Sequence, residues 1–255
     1  MLKEKKQAIL FAMHALSSGA LDEFQRIKEA SSGDCFISYD NRDGKPVDPA
    51  ILREKHWIFS QEDFSYLKYY VKTEASLIPG GNHWPVIRFS QVKTYDFYWN
   101  IEYDVKFMGD WKDFFSYFLK ADDDFITTHI RKYDQETYWY YWSTLSHPQE
   151  TIDQGQYLRS FNPIYRISHQ ALQYINKMHE QKWSGHHETL IPTLLQKGGF
   201  SLRDFGGMGN FVHPGDENLF YIDSTNASLT DGSMRYRPEV ILSQGYENKL
   251  VHPVK

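Results

Sequence analysis

Apolar residues recur along this chain in short blocks that change period. Ala8-Ile9-Leu10-Phe11-Ala12 is a continuous run of strand length, the pattern of a strand buried on both faces of a parallel sheet. His14 follows at its carboxyl end. Ser17 and Ser18 are helix-capping residues, and Leu21, Phe24 and Ile27 then fall on one helical face up to the stop at Ser31-Ser32-Gly33. Cys35-Phe36-Ile37-Ser38-Tyr39 reads as a second strand closed by the turn cluster Asp40-Asn41-Arg42-Asp43-Gly44. Strand, helix and strand in succession predict a βαβ unit.

Residues 45–61 read as an irregular excursion. Phe64, Leu67, Tyr70 and Val71 mark a helix, Pro79-Gly80-Gly81-Asn82 breaks the chain, and His83–Tyr95 fits neither helix nor loop clearly. Tyr98 to Phe107 is aromatic and β-branched and predicts a central strand. A helix follows Gly109-Asp110, with Trp111, Phe114, Phe115, Phe118 and Leu119 at helical spacing. Phe125–Ile130 is strand-like, 131–160 is aromatic and irregular, and Ser168 caps a helix carrying Leu172, Ile175 and Met178 inward. Pro192 requires the next helix to start close to Glu188, since proline is tolerated only where its N–H is not needed. Gly198-Gly199 ends that helix, and the last 55 or so residues, rich in Gly, Asn, Asp and Pro, read as an ordered tail. The alternation of strands and helices predicts an α/β fold, with one domain over residues 1–255.

Composition narrows the chemistry. The net charge of -5 argues against a nucleic-acid partner. One cysteine, Cys35, rules out an intramolecular disulfide framework and fits a reducing compartment. The N-terminal apolar run is too short for a membrane span, so a cytoplasmic protein is expected. The chain carries 18 Tyr, 17 Phe and 7 Trp; many suit a core, and rings with polar tips also suit a sugar cleft. Tyr138-Trp139-Tyr140-Tyr141-Trp142 is the densest cluster, read either as a hydrophobic flap or as a stacking surface for a sugar.

Polar groups cluster at predicted strand ends, where open α/β sheets bind ligands: His14, Asp40, Asn41, and the pair Glu102 and Asp104. In a strand, i and i+2 share a face, so the two carboxylates repel unless a cation joins them, and oxygen ligands suit Mg²⁺ or Mn²⁺. The other reading is that the strand simply ends and the acids lie in a solvated turn. Glu188, at a helix N-terminus, is expected to be held as the anion, the state a general base needs; its alternative is a plain capping acid. The neighbouring His186 and His187 lack the spacing of a zinc motif.

Taken together, these residues resemble nucleotide-sugar glycosyltransferases of the GT-A type, in particular bacterial enzymes that build surface polysaccharides. Tyr98-Trp99-Asn100-Ile101-Glu102-Tyr103-Asp104-Val105 with Gly109 looks like that class's metal-binding DxD element, with Glu in the first place. Phe161–Ser168 looks like an acceptor-side segment, Trp183–Glu188 running into Pro192-Thr193 like the catalytic motif, and Lys249–Lys255 like the tail that supplies a metal-binding histidine. The resemblance implies a Rossmann-related, mostly parallel sheet flanked by helices, and sugar transfer from a nucleotide-sugar donor, UDP-linked, to a hydroxyl of a glycan or lipid-linked glycan acceptor. It implies Mn²⁺ or Mg²⁺ on Asp104 and His252 with Glu102, and His213 as the second choice of histidine. It also implies Glu188 as base; His14, Asp40, Asn41, Glu102 and Lys255 on the donor; Arg166, Trp183 and His187 on the acceptor; and peripheral association with the inner face of the membrane. The open alternatives are a non-catalytic sugar-binding module and a metal-dependent phosphoryl-transfer or hydrolytic enzyme. The last six residues hold too little apolar surface for the core to depend on them, so a chain cut before Leu250 is expected to fold.

Overall fold

The seven strands of the main sheet run in the order β3-β2-β1-β4-β7-β6-β8 in a computed structural model that describes residues 5–17, 19–69 and 80–254. The strands are β1 (Gln7–Met13), β2 (Asp34–Asn41), β3 (His56–Ser60), β4 (Phe97–Glu102), β6 (Phe125–Lys132), β7 (Leu158–Ser168) and β8 (Leu202–Asp204). β1 pairs in parallel with β2 and β4, β2 with β3, and β6 with β8; only β7 runs against its neighbours. The sheet is thus mostly parallel and flanked by helices, as expected. The described helices are α1 (Ala20–Ala30), α2 (Pro49–Leu52), α3 (Gln61–Leu67), α4 (Trp84–Val92), α5 (Trp111–Phe118), α6 (His169–Glu180) and α7 (His187–Lys197). No helix among the described residues is long and apolar enough to cross a membrane.

Strand alternation divides the core into two layers. Ala8, Leu10, Phe36, Tyr98 and Tyr165 face α4, α6 and α7, whereas Ile9, Phe11, Ile37, Trp99 and Ile101 face α1 and α5. The β1-α1-β2 unit forms as its pattern predicts. Residues 45–61 are more ordered than expected, holding α2 and β3, and His83–Tyr95 resolves into α4 with its proline in the first turn. The aromatic 131–157 region is held in 3-10 turns, and β7, which the sequence did not mark as a strand, lies between the central strand β4 and β6. Ser18, Tyr70, Val71, Pro79 and Lys255 lie outside the described residues.

Two predicted ends move. Asp40 and Asn41 belong to β2 rather than to a turn. β4 stops at Glu102, and Val105 N–H donates to the Glu102 carbonyl at 2.9 Å, so Asp104 sits in a turn and not two places along the same strand. That turn leads into β5 (Lys106–Phe107), which pairs with β9 (Leu250–Val251) of the tail.

The tail is therefore structural as well. Leu250 and Val251 are fully buried, Met108 N–H donates to the Lys249 carbonyl, and Val254 N–H donates to the Asp104 carbonyl at 2.9 Å. The expectation gave the last residues too little apolar surface to matter to the core; Leu250 and Val251 instead lie inside its clusters, so their weight is in where they bury. Leu250→Ala is expected to cost about 2–5 kcal/mol by leaving a cavity in the core layer that faces α1 and α5, read as a lower midpoint in denaturant unfolding. An unchanged midpoint would mean the tail is merely laid on the surface.

Candidate functional site

A cavity of about 830 Å³ opens at the carboxyl ends of β1, β2 and β4, where open α/β sheets place their ligands. Its floor is the sheet face that carries Ala12, Ser38, Asp40, Asn100 and Glu102; α7 brings Glu188 to one wall, and the segment 236–239 and the tail close another. Small residues at Ala12 and Ser38 leave room that the Leu and Phe one pair back along the same face fill.

Glu102, Asp104 and His252 form the cluster on this floor: one ligand atom from each lies within 4.8 Å of the others. His252 Nε2 is 3.5 Å from Asp104 Oδ1 and 3.9 Å from Glu102 Oε2. Its other ring nitrogen, Nδ1, lies 2.7 Å from the Arg235 carbonyl, which can only accept, so Nδ1 carries the proton. Nε2 is therefore the ring nitrogen turned to the carboxylates, and in the neutral imidazole its lone pair is the donor a cation held there would meet. Asp104 Oδ1 is buried without a hydrogen bond, and Glu102 spends Oε1 on the Asn82 amide at 2.9 Å, leaving Oε2 to the cluster.

The charges reinforce this arrangement. Burial and the Asp104 charge raise the Glu102 carboxyl. Burial also works to raise Asp104, yet the adjacent His252 outweighs it and Asp104 ends lowered. Burial alone would lower His252, but the two carboxylates turn it upward. Two acids and an imidazole aimed at one point, with an orphaned oxygen among them, fit a divalent cation. The nitrogen donor favours Mn²⁺ over Mg²⁺.

Glu188 is set by the start of α7. His186 is the cap, its Nδ1 accepting the Glu188 N–H at 3.4 Å. Pro192 stands inside the helix, in its second turn, not its first. It has no N–H for the Glu188 carbonyl, and the Ser160 hydroxyl of β7 donates to that carbonyl instead, at 3.4 Å. The Glu188 carboxylate accepts from Asn162 N–H at 3.3 Å and has His186 Nδ1 3.6 Å away. Helix-end placement was expected to keep it ionised. Burial wins: the carboxyl is pushed up to about 8. Gly185 lets this loop approach the 139–145 segment, since a Cβ there would lie 3.0 Å from Leu145 Cα.

The cavity brings together His14, Asp40, Glu102, Asp104, His187, Glu188 and His252. Asp40 is gripped by Arg42, Nε to Oδ1 at 2.8 Å. His187 is buried and held neutral by desolvation, its Nδ1 3.2 Å from the Asn162 amide nitrogen. Others do not reach it. Asn41 alternates with Asp40 and does not line the cavity. Arg166 shares the face of Trp99, opposite to Asn100; its guanidinium donates to the Phe118 and Ala121 carbonyls at 2.7 Å and clamps the turn after α5. Trp183 is 2 % exposed and lies in the core layer that faces α4, α6 and α7, against His147. His213 stands 3.9 Å from Asp123, apart from the cluster. Lys255 is outside the described residues.

Asn82, Asn162, Tyr236 and Arg237 line the cavity without having been singled out. Asn82 links the two halves of the site, donating to Glu102 and, at 3.2 Å, to the Asn162 carbonyl, while Asn162 N–H holds Glu188. In the sequence Asn82 looks like loop punctuation, and Tyr236-Arg237 carries no pattern that would mark it.

No family model and no curated protein matches this chain. Solved structures similar to it include CMP:2-keto-3-deoxy-manno-octonic acid synthetase complexed with CTP, 14% identical over 81% of this chain and 93% of that one, TM-score 0.43. Inositol-1-phosphate CTP transferase from T. maritima is 9% identical over 85% and 93%, TM-score 0.44. Mouse xyloside xylosyltransferase 1, in its apo form, is 9% identical over 79% and 85%, TM-score 0.42. The chemistry of the cavity rests on its own residues, to which these likenesses add nothing.

Proposed function

We propose that this protein transfers a sugar from a nucleotide-sugar donor, UDP-linked, to a hydroxyl of a glycan acceptor in the building of a surface polysaccharide. One observation carries the reading: a single cavity holds a cation-ready cluster (Glu102, Asp104, His252) and a separate buried carboxylate, Glu188, joined through Asn82 and Asn162. Sugar transfer from a diphosphate needs those two functions side by side. Charge must be neutralised on the departing diphosphate, and a proton must leave the attacking hydroxyl.

Asp104, His252 and Glu102 are the residues that would hold Mn²⁺ or Mg²⁺, and the bound ion supplies Lewis-acid neutralisation of the diphosphate. The chain's own groups do the rest. His14 and Asp40, at the ends of β1 and β2, line the donor side. Asn82 fixes the Glu102 carboxylate through Oε1, and Asn162 N–H fixes Glu188 through its own Oε1. Glu188 takes the acceptor's proton on its carboxylate. Its raised pKa suits the task, because a base works best when its pKa lies near the working pH.

The reading is tested by donor hydrolysis and thermal shift. A nucleoside diphosphate is expected to raise the melting temperature only with Mn²⁺ or Mg²⁺ present, and a sugar nucleotide to be slowly hydrolysed. Stabilisation by a free sugar alone, with no turnover, would favour a binding module instead.

The pH dependence follows with a definite sign. Glu188 is a base only when ionised, and its carboxyl titrates near 8. Transfer is expected to rise about tenfold per pH unit below that value and to level off above it. A rate already flat across the neutral range would remove Glu188 from the role.

A further inference from the structure

The cation cluster leaves a charge unmatched. When ionised, the carboxylates of Glu102 and Asp104 already cancel a divalent ion, so a diphosphate brought to it arrives with its own charge uncompensated. Two arginines line the cavity and, among the described residues, no lysine does. Arg42 is spent on Asp40, Nε to Oδ1 at 2.8 Å. The guanidinium of Arg237 makes no hydrogen bond, ion pair or ring contact with any described residue, although Glu239 lines the same wall two residues on.

Arg237 is also held where the cluster's histidine is held. Arg235 N–H donates to the His252 carbonyl at 2.8 Å, and His252 N–H donates to the Ser233 carbonyl at 2.9 Å. Val240 N–H donates to the Pro253 carbonyl at 3.0 Å. The chain is thus pinned to the tail before and after residues 236–239, and all of that stretch lines the cavity. A short strap, tied at both ends beside His252, carries one exposed guanidinium on the cavity wall. An exposed arginine by itself needs no explanation. This one stands on a strap fixed to a residue of the cluster, in a cavity whose other arginine is neutralised.

We infer that Arg237 grips the terminal phosphate of the donor's diphosphate, the one bonded to the sugar. This rests on the glycosyl-transfer reading above. In the transfer, the bond from the sugar's anomeric carbon to the terminal phosphate oxygen breaks, and its electron pair stays on that oxygen. The acceptor oxygen bonds the carbon, and its proton passes to Glu188. The diphosphate therefore gains negative charge at its terminal phosphate. A guanidinium there offers parallel N–H donors to the phosphate oxygens. Its hold strengthens as the charge grows, so it favours the transition state over the bound donor.

Calorimetry on the full chain with Mn²⁺ present tests this with UDP and with UMP, which lacks the terminal phosphate. Arg237→Gln is expected to weaken the Kd of UDP about tenfold or more, the factor typical of a hydrogen bond to a charged group, and that of UMP by less than about threefold. Arg237→Lys, which keeps the charge and loses the fork, should bind UDP more tightly than Arg237→Gln does. The side chain is exposed and no residue of the cluster changes, so Mn²⁺ binding without nucleotide should match wild type, which also serves as the control for folding. UDP affinity unchanged in Arg237→Gln, or UMP weakened as much as UDP, overturns the assignment, while UDP binding by the wild type leaves the glycosyl-transfer reading standing. A wild type that binds no UDP with Mn²⁺ and hydrolyses no sugar nucleotide overturns that reading and this inference with it.

Discussion

Glu188→Gln is expected to lower turnover by on the order of 10²–10⁴ while making the protein more stable. The first effect follows from the lost base: glutamine keeps the shape and the bond from Asn162 N–H but cannot take a proton. Donor affinity should change little, because the cation cluster is made of other residues. The second effect follows from burial. The Glu188 carboxyl titrates near 8 in the folded chain and near 4.5 when unfolded, so the folded state binds the extra proton between those values. The Glu188 contribution to stability is then greatest below about pH 4.5, falls as pH rises, and reaches its floor above about 8. At that floor the buried charge costs on the order of 3–5 kcal/mol, which Glu188→Gln recovers. Melting temperature against pH, measured without metal or nucleotide, reads this directly: the variant should exceed wild type at pH 8 and converge with it in acid. A plain capping role predicts the reverse, a loss of about 0.5–2 kcal/mol with near-normal turnover. A stabilised, inactive variant would mark a group held against its own solvation for the sake of chemistry.

Asp104→Asn is the second large effect. The change removes one charge from the cluster and leaves its size unaltered. Metal-dependent binding of a nucleoside diphosphate is expected to weaken by at least about 100-fold, since a ligand contributes at least as much as the partners that orient it. The fold should persist: the Asp104 backbone carbonyl, not its side chain, ties the tail at Val254, and asparagine keeps an oxygen to face His252 Nε2, which lies 3.5 Å from Oδ1. Titrating Mn²⁺ against a nucleoside diphosphate by calorimetry checks this, with circular dichroism as the control for folding. Unchanged metal dependence would move the cation away from this cluster.

Local pattern determined the elements that bury one face or two. The run Ala8–Ala12, the spacing of Phe24 and Ile27, and the period of Leu172, Ile175 and Met178 are repeats of backbone geometry, and they appear as β1, α1 and α6. The clustering of His14, Asp40 and Glu102 was likewise legible, because a parallel sheet aligns strand ends without further instruction. β7 was not, because it carries Arg159, Asn162 and Arg166, and only tertiary partners satisfy such groups inside a sheet.

The rest was decided in three dimensions. Asp104 joins Glu102 through a turn rather than strand alternation, and His252 reaches them only because β9 pairs with β5. Arg166 is turned from the cavity by the alternation of β7, which no motif match reveals. Asn82 matters through two hydrogen bonds that span 20 and 80 residues of sequence. The ionisation of Glu188 shows the division most clearly. Its place at a helix start was readable along the chain and favours the charged form. Its burial was not readable there, because desolvation is set by neighbours brought in from elsewhere in the chain, Asn162 of β7 among them, and in the folded chain desolvation wins.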